Sequence, residues 1–363
     1  MMERLKIDRK FMPLLATIGV FVALYLYGYL QYKGMRQPQA FLNLFINNAF
    51  LLITSIGMTF VILSKGIDLS VGAVIALTSV ASAALLEKVG LSPFVVIPLM
   101  LFMGTLLGAT MGTIIHVFKV QPFIVTLAGM FFARGMCFFI SLDAIPIRHP
   151  LYRAMALYRL PIPGLEKGFI NLGALIALTI LVVGIYVAHF TRYGRSVYAI
   201  GGNEQSALLM GLPVGRIKIS VYALNGFCSA LAGIVFSVSL LSGHGLYATN
   251  VELDAIASVV IGGTLLTGGQ GYVFGTLFGV LVTGLIQMLI QFNGNLSSWW
   301  TRIAVGALTL IFIGVQSLFT RERQRQAPTK PPGKKHVSQA KTAMEDSLAT
   351  DAVSADVVSA DAI

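Results

Sequence analysis

Ten apolar runs of about twenty residues, separated by short polar stretches, leave this chain few ways to fold. They cover approximately 11–30, 44–64, 69–87, 93–117, 122–141, 169–189, 217–241, 251–266, 272–292 and 299–319. A helix that rises ~1.5 Å per residue needs ~20 mostly apolar residues to cross a bilayer core. A transmembrane β-barrel would show ~10-residue segments alternating apolar and polar, whereas these runs are longer and apolar on every face. Of the 363 residues only 11% are charged, against 56% hydrophobic; soluble domains carry roughly 25% charged residues. Too few charges remain to cover a soluble surface, which excludes a soluble enzyme, a nucleic-acid binder and a disordered chain. The expected fold is all-α and polytopic, with about ten transmembrane helices. The third and eighth runs are short and flanked by glycine-rich polar sequence, so broken or re-entrant helices are expected there. Ten spans divide five and five, and an odd number per half inverts the second half, which predicts a 5+5 inverted repeat.

The segment MMERLKIDRK precedes the first run, and that run continues into YLYGYLQYKGMRQP without a small-residue cleavage site. It reads as a retained span and not as a signal peptide. Lys and Arg collect on the cytoplasmic side of membrane proteins. With the N-terminus inside and the spans alternating, 17 of the 26 Lys and Arg fall inside, 8 fall outside, and Arg134 lies within a span. The expected organisation is a cytoplasmic N-terminus at 1–10, a transmembrane domain at 11–319 and a disordered cytoplasmic tail at 320–363. The tail is first basic and proline-bearing, then acidic and of low complexity, and cannot bury enough apolar surface to order itself. Cys137 and Cys228 each sit inside an apolar run, which gives no disulfide framework.

Catalytic and metal signatures are absent. There is no GxxxxGK[ST] phosphate loop, no HExxH, no paired Cys/His pattern and no GxSxG, and the five histidines are scattered. No catalytic residue, metal or cofactor is expected, an intramembrane enzyme is disfavoured, and the energy for any transport must come from a partner or an ion gradient.

Five stretches carry information. In MTFVILSKGIDLSVG (58–72), Asp68 sits between two apolar spans, three residues after Lys65, with which it could pair if the stretch is helical. Either this is a broken-helix point on a path, or Asp68 caps a helix starting near Leu69. In GGNEQSALLMGLPVGR (201–216), Glu204 to Met210 predict one or two helical turns ended by Gly211 and Pro213. That short helix is either a knob for a soluble partner or a solvated loop. In ELDAIASVVIGGTLLTGGQGYVFG (252–275), six glycines lie within fourteen residues. They permit either a re-entrant segment at a path or close helix packing alone. Arg134, in mid-span, either meets a partner or snorkels outward. Asn47 and Asn48 are adjacent amides early in the second run, suited to bonding a neighbouring helix or a substrate hydroxyl.

Four of these passages together resemble one family, the permease subunits of ribose/galactose-type bacterial sugar ABC importers, related to branched-chain amino-acid permeases. The matching residues are GMTFVILSKGIDLSVGAVIA (57–76), QPFIVTLAGMFFARG (121–135), GRSVYAIGGNEQSALLMGLPV (194–214) and ELDAIASVVIGGTLLTGGQGYVFGTLFGVLV (252–282), in the family's order and spacing across 11–319. TLAGMFF, IPIRHPLY and LSSWW further resemble the permease of a galactofuranose importer that pairs with a paralogous permease. The resemblance implies a path for a monosaccharide delivered by a periplasmic sugar-binding protein. It implies a second permease subunit, a paralogue or a second copy, and a cytoplasmic ATP-binding-cassette ATPase that supplies the energy. It implies ATPase coupling through Gly201, Gly202, Asn203, Glu204, Ser206 and Gly211. Candidates for the translocation path are Asn47, Asn48, Asp68, Ser70, Gly72, Gly262 and Gly263. The family commonly carries glycine where this chain has Lys65; a lysine there either pairs with Asp68 or narrows the path. The competing reading is an ion-coupled secondary transporter, which requires a titrating group at mid-membrane. Asp68 is the one candidate away from the span ends.

Overall fold

The computed structural model describes residues 12–164, 168–294, 297 and 299–326. The segment 1–10 and the tail from 327 onward, both expected in the cytoplasm, lie outside the described residues. Each of the ten apolar runs carries a helix. The long helices are α1 (Met12–Gln31), the pair α2 (Pro38–Asn47) and α3 (Ala49–Leu63), α4 (Val71–Glu87), α5 (Pro93–Val117) and α6 (Pro122–Ile140). After the short α7 (Pro150–Leu157) come α8 (Leu172–Phe190), α9 (Arg192–Gly202), α10 (Glu204–Leu209), α11 (Val214–Leu240), α12 (Val251–Ile261), α13 (Val273–Asn293) and α14 (Trp299–Gln326). Six of these (α1, α5, α6, α8, α11 and α13) are long and apolar enough to cross a membrane, and α2 with α3 makes a seventh if counted as one bent span. The chain is a polytopic helical membrane protein.

Proline opens α2, α5, α6 and α7 at their first turn, where its missing N–H costs nothing. α3 and α4 are buried along almost their whole length. An apolar helix without a polar face belongs in the middle of a bundle, and these two form its centre. α11 packs along α5 through small residues. A Cβ on Gly104 would meet the Gly226 carbonyl oxygen at 2.6 Å, and one on Gly112 would sit 3.0 Å from Ile219 Cα. Such contacts bring two backbones together and let dispersion hold them where no hydrophobic gradient exists.

Loop contacts sort the helix ends into two groups. The lower end holds the start of α1, the 64–70 turn, the 118–121 turn, α9, α10 and the 262–272 loop. There Thr17 Oγ1 donates to the Ile261 carbonyl, and Tyr198 donates to the Gly271 carbonyl at 2.7 Å. The upper end holds the 32–37 turn and the segments 141–171 and 241–250. There Gln39 bonds Phe169 in both directions, and Glu87 accepts the N–H groups of Arg148 and His149 at 2.6 and 3.1 Å. Two small antiparallel pairs stitch the upper loops. β1 (Ile145–Pro146) pairs with β4 (Ser242–Gly243), and β2 (Arg159–Pro161) pairs with β3 (Phe169–Asn171).

Three features depart from the sequence reading. The second run is broken: α2 and α3 meet at 54° around Asn48. The Asn48 side chain donates to the Leu44 carbonyl at 2.8 Å, competing with the helix ladder at that turn. The eighth run is short, as expected: its helix ends at Ile261 and the chain continues as a glycine-punctuated loop to 272. The hydrophilic 190–216 stretch holds two helices where one was expected. The additional one, α9, is amphipathic and begins at a Thr191 cap that accepts the Gly194 N–H at 3.1 Å. Finally, α14 continues to Gln326, past the boundary expected at 319, through the strong helix formers RERQRQ.

Candidate functional site

The lower end brings together three of the five stretches singled out in the sequence: 58–72, 201–216 and 252–275. α3 stops at Leu63, and the chain turns through Lys65, whose φ is +65°. The Leu63 carbonyl accepts the Gly269 N–H at 2.9 Å, so the end of α3 is tied to the glycine-rich loop. The last turn of α9 lies over that bond. A Cβ on Gly201 would collide with the Leu63 carbonyl oxygen and stand 2.6 Å from Gly269 N. Three backbones therefore meet where no side chain fits. Gly268 and Gly269 hold φ of +79° and +71°, which only glycine adopts cheaply. Tyr198 on α9 anchors the far end of the loop at Gly271. Its burial, with Tyr272 beside it, pushes the phenol above its ordinary pKa and keeps it a donor.

α10 projects from this junction. Asn203 caps it, accepting the Ser206 N–H at 2.9 Å, and Gly211 ends it at φ +79°. Glu204 in its first turn is gripped by Lys218 of α11 at 2.7 Å, the one ion pair among the described residues. Beyond it Leu208, Leu209 and Met210 are 62%, 88% and 68% exposed. Three large apolar side chains are thus held out in solvent on a capped, buttressed turn. A cavity of about 1140 Å³ opens beside α10, between it and the 116–122 turn, with Lys65, Lys119, Arg216 and Lys218 on its walls.

Asp68 has gone deeper than a cap. It is 1% exposed, and α4 begins after Ser70 at Val71. One carboxylate oxygen accepts the Ser70 N–H and hydroxyl at 2.8 and 2.6 Å; the other accepts Asn225 Nδ2 of α11 at 2.7 Å. Lys65 makes no ion pair with it: the left-handed turn at 65 carries the lysine to the exposed surface and the carboxylate inward. Gly72, one turn on, receives Glu252. That carboxylate, 8% exposed, packs against the Gly72 Cα, where any Cβ would strike it. Arg134 does not snorkel. It reaches across to the carbonyls of Gly245 and Tyr247 at 2.6 and 2.7 Å, pinning the 242–250 segment against α6.

Gly262 and Gly263 sit in packing contacts, Gly262 against the Gly275 carbonyl of α13 and Gly263 beside Pro13 of α1. Asn47 and Asn48 lie apart from Asp68, separated by the length of α3, about 22 Å of helix rise. Both line an upper cavity of about 410 Å³ between α3, α12, α13 and α14. Sequence reasoning missed Asn225 and Glu252. Asn225 is a lone amide within an apolar run, Glu252 opens a stretch singled out for its glycines, and only the fold places them against Asp68 and Gly72.

The family model described as branched-chain amino acid transport system / permease component matches residues 40–313. The chain is 52% identical over 305 residues to the inner membrane ABC transporter permease protein YjfF of Escherichia coli, covering 84% of this chain and 92% of that protein. It is 38% identical to the fructose import permease protein FruG of Bifidobacterium longum, over 86% of this chain and 92% of the relative. With the ribose import permease protein RbsC of Haemophilus influenzae the identity is 40%, over 75% and 83%. No solved structure matches the chain.

Proposed function

The chain belongs to the branched-chain amino acid transport system / permease component family, and on that premise we propose that it is the path-forming subunit of an ABC importer for a monosaccharide. A neutral sugar needs hydroxyl and amide partners and no titrating chemistry, which agrees with the composition of the bundle. The chain makes ten crossings arranged as two inverted sets of five. Six helices long and apolar enough to cross a membrane, with the bent α2–α3 pair and the shorter apolar α4 and α14, support this count. The lower end faces the cytoplasm, with both termini on that side, and 11–319 is the permease domain.

The observation that carries this reading is the α9–α10 unit. It presents an apolar tip outward while its root, at Gly201, bears on the ends of two broken membrane segments. A cytoplasmic ATP-binding-cassette ATPase grips the tip, so that Gly201, Gly202, Asn203, Glu204, Ser206 and Gly211 hold the shape through which its motion enters. A periplasmic sugar-binding protein docks on the upper loops, and a second permease, a paralogue or another copy, completes the path. The residues from Asp68 to Gly72 form the hinge of the path wall, and Asn47 and Asn48 line the path at the opposite end of α3.

The test is reconstitution of the chain with its ATPase, paralogue and binding protein in proteoliposomes. ATP in the lumen corresponding to the cytoplasm should drive uptake of radiolabelled D-ribose or D-fructose only with the binding protein present. Accumulation by the chain alone under a proton or sodium gradient refutes the reading.

A further inference from the structure

The upper cavity beside the α2–α3 break has a polar lining at odds with its surroundings. Gln287 and Gln291 lie one turn apart in the last two turns of the largely apolar α13, and Arg302 lies in the first turn of α14; all three are exposed. A carboxamide facing lipid is costly, so such side chains on a membrane helix face water, a partner or a ligand. Asn47 and Asn48 face them from the kink, and Asp254 of α12 closes the ring. Asp254 and Arg302 share this space without forming an ion pair. An acid and a guanidinium that stand apart in one pocket leave their hydrogen-bonding edges to something between them.

We infer that these six residues form a binding pocket for a neutral polyhydroxylated ligand, the first station of the substrate on the permease after delivery. Its volume of about 410 Å³ lies in the range of small-molecule sites. Four carboxamides each offer a donor and an acceptor, the carboxylate offers acceptors alone, and the guanidinium offers donors alone. Adjacent hydroxyls on a sugar ring both donate and accept, and so match this mixed array. Phe50 supplies an apolar wall for the C–H face of the ring. A zwitterionic amino acid would satisfy Asp254 and Arg302 and leave the four carboxamides without partners.

This inference rests on the transport reading above, and the experiment separates the two. The complete complex is reconstituted with wild-type chain, with Gln287→Leu, with Gln291→Leu, and with Asn47→Ala, whose exposed side chain is removable without emptying the core. Initial uptake of D-ribose, D-fructose and L-leucine is measured against the concentration of loaded binding protein, together with the yield of assembled complex. Loss of one neutral hydrogen bond should raise the half-saturating concentration by about 2- to 10-fold, with maximal rate and assembly preserved. If the wild-type complex moves neither sugar under ATP, the transport reading fails. If it moves a sugar but all three variants keep its half-saturation, or lose only assembly, the pocket is not a ligand site. Leucine uptake sensitive to these same variants overturns the polyol assignment.

Discussion

Replacing Gly201 by alanine tests the junction at the foot of α9. The added methyl would stand 2.6 Å from Gly269 N and still closer to the Leu63 carbonyl oxygen, both of them backbone atoms. Backbone cannot rotate aside as a long side chain can. To restore ordinary contact, α9 must lift by roughly 1–2 Å, or the hydrogen bond from Gly269 to Leu63 must break. Overpacking of this kind costs about 1–3 kcal/mol, and a lost backbone hydrogen bond adds about 1 kcal/mol. Gly202 is the internal control, since a Cβ there meets nothing within 4 Å. The assay is the apparent melting temperature of the purified chain in detergent, read by fluorescence at several heating rates. Gly201→Ala should melt several degrees below wild type and Gly202→Ala beside it. In the assembled importer, Gly201→Ala should uncouple ATP hydrolysis from uptake while the ATPase remains bound, because the tip of α10 is untouched. Equal melting of both alanine variants would refute the packing argument. Intact coupling in a destabilised Gly201→Ala chain would remove the junction from force transmission.

Further outcomes follow from other parts of the bundle. Lys65→Gly should stabilise the chain by about 1 kcal/mol, because it relieves a left-handed φ in a side chain with no ion-pair role, and thermal unfolding reads this directly. Asp68→Ala leaves the Ser70 and Asn225 donors buried without an acceptor, a loss of about 1–3 kcal/mol for each unsatisfied group. Asp68→Asn retains an acceptor and should keep most uptake; total loss in that variant would point to an obligatory charge. Glu204→Arg, or deletion across Gly201–Gly211, should abolish ATPase stimulation and leave membrane insertion intact, measured by co-purification and by membrane yield. With Cys137 and Cys228 replaced, Leu209→Cys should react with an impermeant maleimide only from the cytoplasmic side. Labelling from outside would invert the orientation.

The helices were legible because apolar length is a local property: each run of about twenty residues announces itself whatever surrounds it. The break at Asn48 was hidden inside such a run, since one amide bonding back to Leu44 changes direction without changing hydropathy. α9 was hidden for the opposite reason. RYGRSVYAIGG is too polar on average to mark a span, and its helical character lies in which face is apolar. At the candidate site the sequence supplied the three stretches but not their meeting point. Asp68 and Asn225 are 157 residues apart in the chain, and nothing in either neighbourhood names the other. Lys65 illustrates how spacing alone misleads: three residues separate it from Asp68, but a single positive φ turns the two side chains to opposite sides.

The bond from Gly269 to the Leu63 carbonyl fastens residues from the first half of the chain to residues from the second, directly beneath the last turn of α9. A push arriving there meets both halves at one point, with no side chain between to absorb it by changing rotamer. On the proposed coupling route, the two halves would move together and a sugar path lined by both would widen or narrow in a single stroke.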